Sequence, residues 1–203
     1  VCEDIVFEDD FENGNAAGWD LYGPGSTAST GDGVIGDPVG TSNGGDQAQP
    51  EDAFAGTGCM FTGQNPGGSI GTDDIDGGVV YLESPTIDLS GETEADLSFV
   101  RWYYLRDLGA DSGDFYVAEV SDNNGSSWVE LESIDNQSDA NSWTARSFDL
   151  ESFISLTSTV KFRFGAADGS SAGSIVELAI DNVSVTAPCG LDADCNSNGI
   201  EDA

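Results

Sequence analysis

The sequence predicts an all-β fold, a two-sheet antiparallel sandwich, and three features of the chain predict it. Short runs rich in Val, Ile, Phe, Tyr and Trp recur along its length, the composition of half-buried strands. Clusters of Gly, Ser, Asn and Asp separate them, the composition of turns. Helical periodicity is nearly missing, so no strand-helix-strand spacing exists to build a parallel sheet.

Taken in order, the strand candidates are these. Val79, Val80, Tyr81 and Leu82 form a short run halted at Ser84 and Pro85, since proline cannot donate to a ladder. Residues 97–104 are apolar on both faces, as a central strand covered on both sides should be. Residues 115–120 and 128–134 flank Asp122, Asn123, Asn124 and Gly125, a hairpin turn of residues that tolerate positive φ. Residues 144–149 read as one more strand, leading into 150–156 as a single helical turn. Val160, Phe162 and Phe164 alternate with Lys161, Arg163 and Gly165, a period of two with one apolar face. Residues 175–185 carry Ile175, Leu178, Ile180, Val183 and Val185 as the apolar members of a last long strand. Residues 22–53 break the pattern as a long Gly-, Ser- and Asp-rich loop, and loops of that length are functional or metal-organised. After Pro188 a short acidic tail begins, so 1–189 reads as one sandwich domain and 190–203 as an appended tail or linker stub. No internal repeat is visible.

Charge is the outlier. In 203 residues, 38 acids face five bases, a formal net charge of −33. Such a surface repels nucleic acid and anionic lipid, which both require Lys and Arg. It also repels itself unless cations screen or bind it. High salt or plentiful divalent cations answer that problem. No stretch approaches the ~20 apolar residues that span a bilayer, so membrane insertion is not expected. The opening at Val1 and Cys2 reads as a processed or excised piece tethered to other domains.

Cys2, Cys59, Cys189 and Cys195 have no zinc-site spacing and no histidine to share a metal, so disulfides in an oxidising compartment are expected. Two pairings are favoured, Cys2 with Cys189 or Cys189 with Cys195. The absence of histidine also excludes Ser-His-Asp and Cys-His catalysis within the chain. Carboxylate-pair chemistry survives, though acids are too numerous for any one pair to be informative.

Several stretches together resemble one family. Phe11, Glu12, Asn13 and Gly14 with Gly18 and Trp19 look like the opening of MAM-type jelly-roll modules. Leu82, Ser84 and Pro85, then Asp88, Leu89 and Ser90, resemble a later stretch of that family, and Leu97, Ser98, Phe99, Arg101, Trp102 and Tyr103 follow as they do there. Ala179, Ile180, Asp181, Asn182 and Val183, with Cys189 after them, look like its closing strand, although Asn182 stands where many members have a second aspartate. Gln49 to Asp52, Thr62 with Gly63, and Asp74 to Gly78 are similar to the bacterial MAM-like module attached to secreted metallopeptidases and other exported hydrolases. The resemblance implies a jelly-roll sandwich with structural calcium in an adhesive or accessory role, and no particular ligand.

Four constellations bear chemistry. Calcium takes six to eight oxygens from carboxylates and carbonyls; Glu12 and Asp181 can converge if the terminal strands are neighbours, with Asp74 and Asp76 as loop ligands and Glu51 and Asp52 outside them. In the tail, Asp194, Asn196, Asn198 and Asp202, with Gly199 at the sixth position, match the first nine positions of a calcium loop and resemble the repeats of dockerins and thrombospondin type 3 arrays. Ser121 to Trp128 looks like an Asp-box hairpin, whose side chains bond the turn. Trp102 and Tyr104 share one side of the central strand and Arg101 the other, a candidate ligand face if it is exposed.

Three functions are therefore in play: a secreted or cell-surface accessory module binding a polysaccharide or an extracellular protein, a spacer holding only calcium, and a polysaccharide-acting enzyme using paired carboxylates. An exposed aromatic surface separates the first from the second. Two acids facing across a cleft would mark the third.

Overall fold

The computed structural model describes residues 2–16, 18–64, 67, 70–106, 113–135, 141–169 and 173–189. Its strands are β1 (Glu3–Asp9), β2 (Gly33–Gly36), β3 (Ser42–Asn43), β4 (Asp46–Gln47), β5 (Cys59–Thr62), β6 (Gly78–Glu83), β7 (Asp96–Arg106), β8 (Phe115–Ser121), β9 (Val129–Asp135), β10 (Thr144–Asp149), β11 (Lys161–Asp168) and β12 (Ile175–Pro188). The larger sheet runs β10-β7-β12-β5-β2 with β1 also alongside β12, and the smaller runs β6-β11-β8-β9. The strands described pair antiparallel throughout, and the two sheets pack face to face as the sequence predicts. The helical turn expected after residue 149 is a single 3-10 turn, Leu150–Ser152. The expected loop over residues 22–53 contains β2 and the small β3-β4 hairpin. Among the described residues no helix is long and apolar enough to cross a membrane.

β12 organises the larger sheet. β7 pairs along one edge, while β5 and then β1 share the other. Val176, Leu178 and Ile180 point into the core between the sheets, and so do Val183 and Val185. Even numbers thus give way to odd ones, which a regular strand forbids because faces alternate. The register shift between Asp181 and Ser184, with Asn182 at φ 49°, supplies the extra residue that keeps both halves apolar-inward. Asn is among the few non-Gly residues that adopt this conformation at low cost.

The core itself is aromatic at its centre. Trp19, Phe99, Phe162 and Phe164 meet with ring centroids 4.7 to 6.2 Å apart. The Trp19 indole Nε1 donates to Asp9 Oδ2 at 3.0 Å, so its polar edge is satisfied as the ring is buried. Each such side chain contributes about 1.5–3 kcal/mol by leaving water. Cys2 and Cys189 form a disulfide that closes the β1-β12 pair across 187 residues of chain. Cys59 is buried and unpaired, and Cys195 lies outside the described residues.

Candidate functional site

The face expected to carry a ligand is filled by the chain itself. Trp102 and Tyr104 do share the outer side of β7, but segment 47–54 lies over them. Trp102 is 6% exposed and donates from Nε1 to the Ala48 carbonyl at 2.7 Å, and Tyr104 is fully buried beside Ala48 and Ile175. Gln49 pins the covering segment by donating from Nε2 to the carbonyls of Thr62 (2.8 Å) and Gly63 (2.6 Å). Arg101 turns the other way, into the sandwich, where Nε meets Glu132 Oε1 at 2.6 Å. Glu132 Oε2 also holds Arg146 Nε at 2.7 Å, so one β9 carboxylate ties β7 and β10 to the smaller sheet. The expectation that Arg101, Trp102 and Tyr104 form an accessible ligand face is corrected: the first is an internal ion-pair partner and the other two are a floor under a folded-over loop.

What that loop presents outward is a different aromatic pair. Phe54 is 49% exposed, and its ring meets that of half-buried Trp143 edge-on at 6.2 Å. Trp143 in turn leans on Trp102, and its Nε1 donates to the Asp52 carbonyl at 3.3 Å. A shallow hollow of about 320 Å³ beside them is lined by Gln47, Pro50, Glu51, Asp52, Ala53, Trp102 and Trp143. Sequence reasoning missed Phe54 and Trp143. The available signal was a lone tryptophan set among Asn141, Ser142 and Thr144, outside any apolar run.

The predicted pair Glu12 and Asp181 is brought to one place, the turn 54–58. Glu12 Oε1 accepts from the amides of Thr57 (2.9 Å) and Gly58 (2.7 Å), and these amides lower its pKa. Gly56, at φ 63°, leaves the space that Glu12 occupies, for a Cβ there would collide with its carboxylate. Asp181, fully buried at the bulge, accepts from Ala55 N (3.0 Å) and Asn182 N (2.7 Å). Burial raises its pKa, with the nearby Glu12 charge adding to the rise and the backbone amides opposing it.

Asp74 and Asp76 belong to a second acidic region. Asp74 is buried, and burial first, then the charge of Asp76, push its carboxyl up to about 7. Asp76 is half-buried and accepts from Thr30 Oγ1 at 3.3 Å. Glu177, also buried, accepts from Thr62 Oγ1 at 3.1 Å, and burial followed by the Asp74 charge holds it well above the glutamate range. As the side chains stand, among the described residues no three acidic or cysteine groups enclose a point that could hold a metal. Asp194, Asn196, Asn198 and Asp202 lie outside the described residues.

The hairpin turn at 121–128 is held by its own side chains. Ser121 Oγ accepts from Gly125 N at 2.9 Å, and Asn123 Oδ1 accepts from Ser127 N at 2.9 Å. The Arg163 guanidinium then lies 4.2 Å from the centre of the Trp128 ring and 3.8 Å from that of Tyr81. Arg163 also donates to Glu119 at 2.7 Å, which satisfies the charge within the sheet. The structural role suffices for this motif.

No protein-family model matches the sequence, and no curated protein matches it. Among solved structures, the K1 cleaved adhesin domain of Lys-gingipain from Porphyromonas gingivalis W83 is similar with a TM-score of 0.51 at 18% identity, covering 91% of this chain and 98% of that one. A structure that explains the promiscuous specificity of carbohydrate-binding modules from the β-sandwich superfamily is similar with a TM-score of 0.51 at 12% identity, over 87% of this chain and 60% of that one. At such identities the likeness establishes the β-sandwich fold.

Proposed function

We propose that this domain is a non-catalytic accessory module of a secreted or cell-surface protein that binds a neutral polysaccharide through the Phe54–Trp143 ledge. The observation that carries the reading is the pairing of a half-exposed phenyl ring with an indole fixed from behind by Trp102. A rigid aromatic surface suits the apolar face of a sugar ring, and Gln47, Glu51 and Asp52 offer hydrogen-bonding groups at its margin. The net charge of −33 disfavours sulfated or uronic-acid polymers. The adhesin domain and the carbohydrate-binding modules described above support a binding role for this fold.

Calcium belongs to the same proposal. Glu12 and Asp181 grip one turn, and a carboxylate has lone pairs left after accepting one or two amides. A cation there would relieve the burial of Asp181 and the repulsion from Glu12, so the residues fit one. The MAM-type assignment and the calcium loop of the tail stand with it as proposals.

The alternative spacer reading is favoured by the burial of Trp102 and Tyr104, which removes those two rings from use as a ligand surface. A glycan array in calcium-containing, high-salt buffer separates the two. Binding lost in Trp143→Ala supports the module; silence across neutral glycans leaves the spacer.

A further inference from the structure

The two rings of the ledge are held by different means. Trp143 has the buried indole of Trp102 behind it and a hydrogen bond to the Asp52 carbonyl. Phe54 opens a turn of Phe54, Ala55, Gly56, Thr57 and Gly58, of which the first four are exposed and the last has no side chain. Burial of apolar surface contributes little to such a turn, so its backbone depends on polar anchors.

Two carboxylates supply them. Asp181 Oδ2 accepts from Ala55 N at 3.0 Å, and the Phe54 amide also favours the charge of that carboxylate. Glu12 Oε1 accepts from Thr57 N at 2.9 Å and Gly58 N at 2.7 Å, while its Oε2 accepts from Thr57 Oγ1 at 3.3 Å. Hydrogen bonds to an ionised acceptor are roughly twice as strong as neutral ones. Both acids stand on rigid backbone. Glu12 follows Phe11, which is fully buried, takes φ 58° and packs its ring on Trp19 at 5.6 Å. Asp181 is fully buried at the β12 bulge, where its Oδ1 accepts from Asn182 N at 2.7 Å. The path from the aromatic core to the Phe54 ring therefore runs through these two side chains, one beside the end of β1 and one on β12.

We propose that Glu12 and Asp181 are positioning residues for the ledge: by holding the 54–58 backbone they keep the Phe54 ring edge-on to Trp143. The proposal rests on the ledge reading and needs no bound ion. Without these anchors a sugar would have to order Phe54 as it binds, and ordering a loop and its side chain weakens association. Trp143, held from the other side, would keep its place.

The test puts 4-fluorophenylalanine at position 54 alone and reads its fluorine resonance in chelator, beside titrations with the soluble neutral sugars cellohexaose, xylohexaose and mannohexaose. Glu12→Ala deletes an exposed side chain and should fold. Its fluorine line should narrow and move towards the position of the free amino acid, and sugar affinity should fall about tenfold. Glu12→Gln keeps one oxygen for both amides, and its Nε2 can donate to Thr57 Oγ1, so the line should return and affinity should lie within about twofold of wild type. Glu151→Ala is the control, because it removes a similar bond beside the start of β7, from Ala95 N to Glu151 Oε2 at 3.1 Å. It should lower the melting temperature and move neither readout. A fluorine line in Glu12→Ala that matches wild type, or one in Glu12→Gln that matches Glu12→Ala, overturns the positioning role. Sugar affinity unchanged in Trp143→Ala would instead overturn the ledge, and the fluorine result would stand without it.

Discussion

Trp143 meets Trp102 edge-on, with ring centroids 6.0 Å apart and planes at 64°, so a half-exposed indole is seated on a buried one. The two tryptophans therefore do different work, and substitution separates them. Trp143→Ala should abolish binding to whichever neutral glycan scores on the array while leaving the melting temperature nearly unchanged. Trp102→Ala opens the floor beneath the loop and should cost about 3–5 kcal/mol in urea unfolding. A Trp143→Ala protein that still binds would remove the ledge from consideration.

Glu132 is the hinge of a charged triad inside the sandwich. It accepts from Arg101 Nε at 2.6 Å and Nη2 at 3.3 Å, and Arg101 also lies 4.7 Å from the Tyr103 ring. Deleting one partner of a buried pair strands the other charge, so Glu132→Ala should destabilise by about 3–5 kcal/mol. Arg101→Met combined with Glu132→Leu removes the buried pair, leaves only the part-exposed Arg146 without its glutamate, and should recover most of that loss. Chemical denaturation of the three proteins checks the ordering, and equal destabilisation in single and double variants would contradict it.

Much of this architecture was legible in the chain. The apolar alternation at Val160, Phe162 and Phe164 gave β11, and the Asn- and Gly-rich turn gave the β8-β9 hairpin, because both signals are local. The convergence of Glu12 with Asp181 followed from placing the terminal strands side by side. The face of Trp102 and Tyr104 was misjudged for a non-local reason. Period-two alternation tells which side of a strand a residue occupies, and it is silent on a covering loop whose anchor, Gln49, bonds carbonyls 13 and 14 residues away. Asp74's burial was invisible for the same reason: the turn Asp74, Ile75 and Asp76 reads as solvent-facing until Ile75 is seen paired with Val176.

Glu177 should make stability fall as pH rises. Burial, and then Asp74, hold its folded pKa well above the ordinary 4.5. Below that ordinary value both folded and unfolded chains carry the proton and nothing is lost. Above it the unfolded chain releases the proton while the folded chain retains it, so the unfolded state gains with each further step until the folded pKa is passed. Glu177→Gln keeps the acceptor for Thr62 Oγ1 and removes the ionisation. Its melting temperature should match wild type near pH 4 and exceed it increasingly towards pH 7. A constant offset across that range would assign the effect to packing instead.

The Cys2–Cys189 bond closes nearly the whole chain into one loop, with a separation of 187 residues. Cross-links of long loops restrict the unfolded ensemble most, and removal should cost about 2–5 kcal/mol. The bond also joins strands already paired through β1 and β12, so the native ladder should persist without it. Cys2→Ser with Cys189→Ser should therefore lower the melting temperature while leaving the far-ultraviolet circular dichroism unchanged. Loss of the β spectrum at room temperature would mean that β1 docks only when tethered.

Calcium at the Glu12–Asp181 turn gives the remaining prediction its sign and size. An ion that binds only the folded chain adds about 2.7 kcal/mol at a hundredfold excess over its Kd. For a domain of this length that corresponds to a rise of roughly 5–10 °C in melting temperature. Chelation should reverse it, and the reversal should be smaller in Glu12→Gln, because the remaining carboxylate, Asp181, is then alone at the turn. Sodium chloride at matched ionic strength is the necessary comparison, since screening of a −33 surface stabilises without any specific site. A melting temperature that follows ionic strength alone, indifferent to calcium, would leave the acids of this turn as hydrogen-bond acceptors for the 54–58 amides and nothing more.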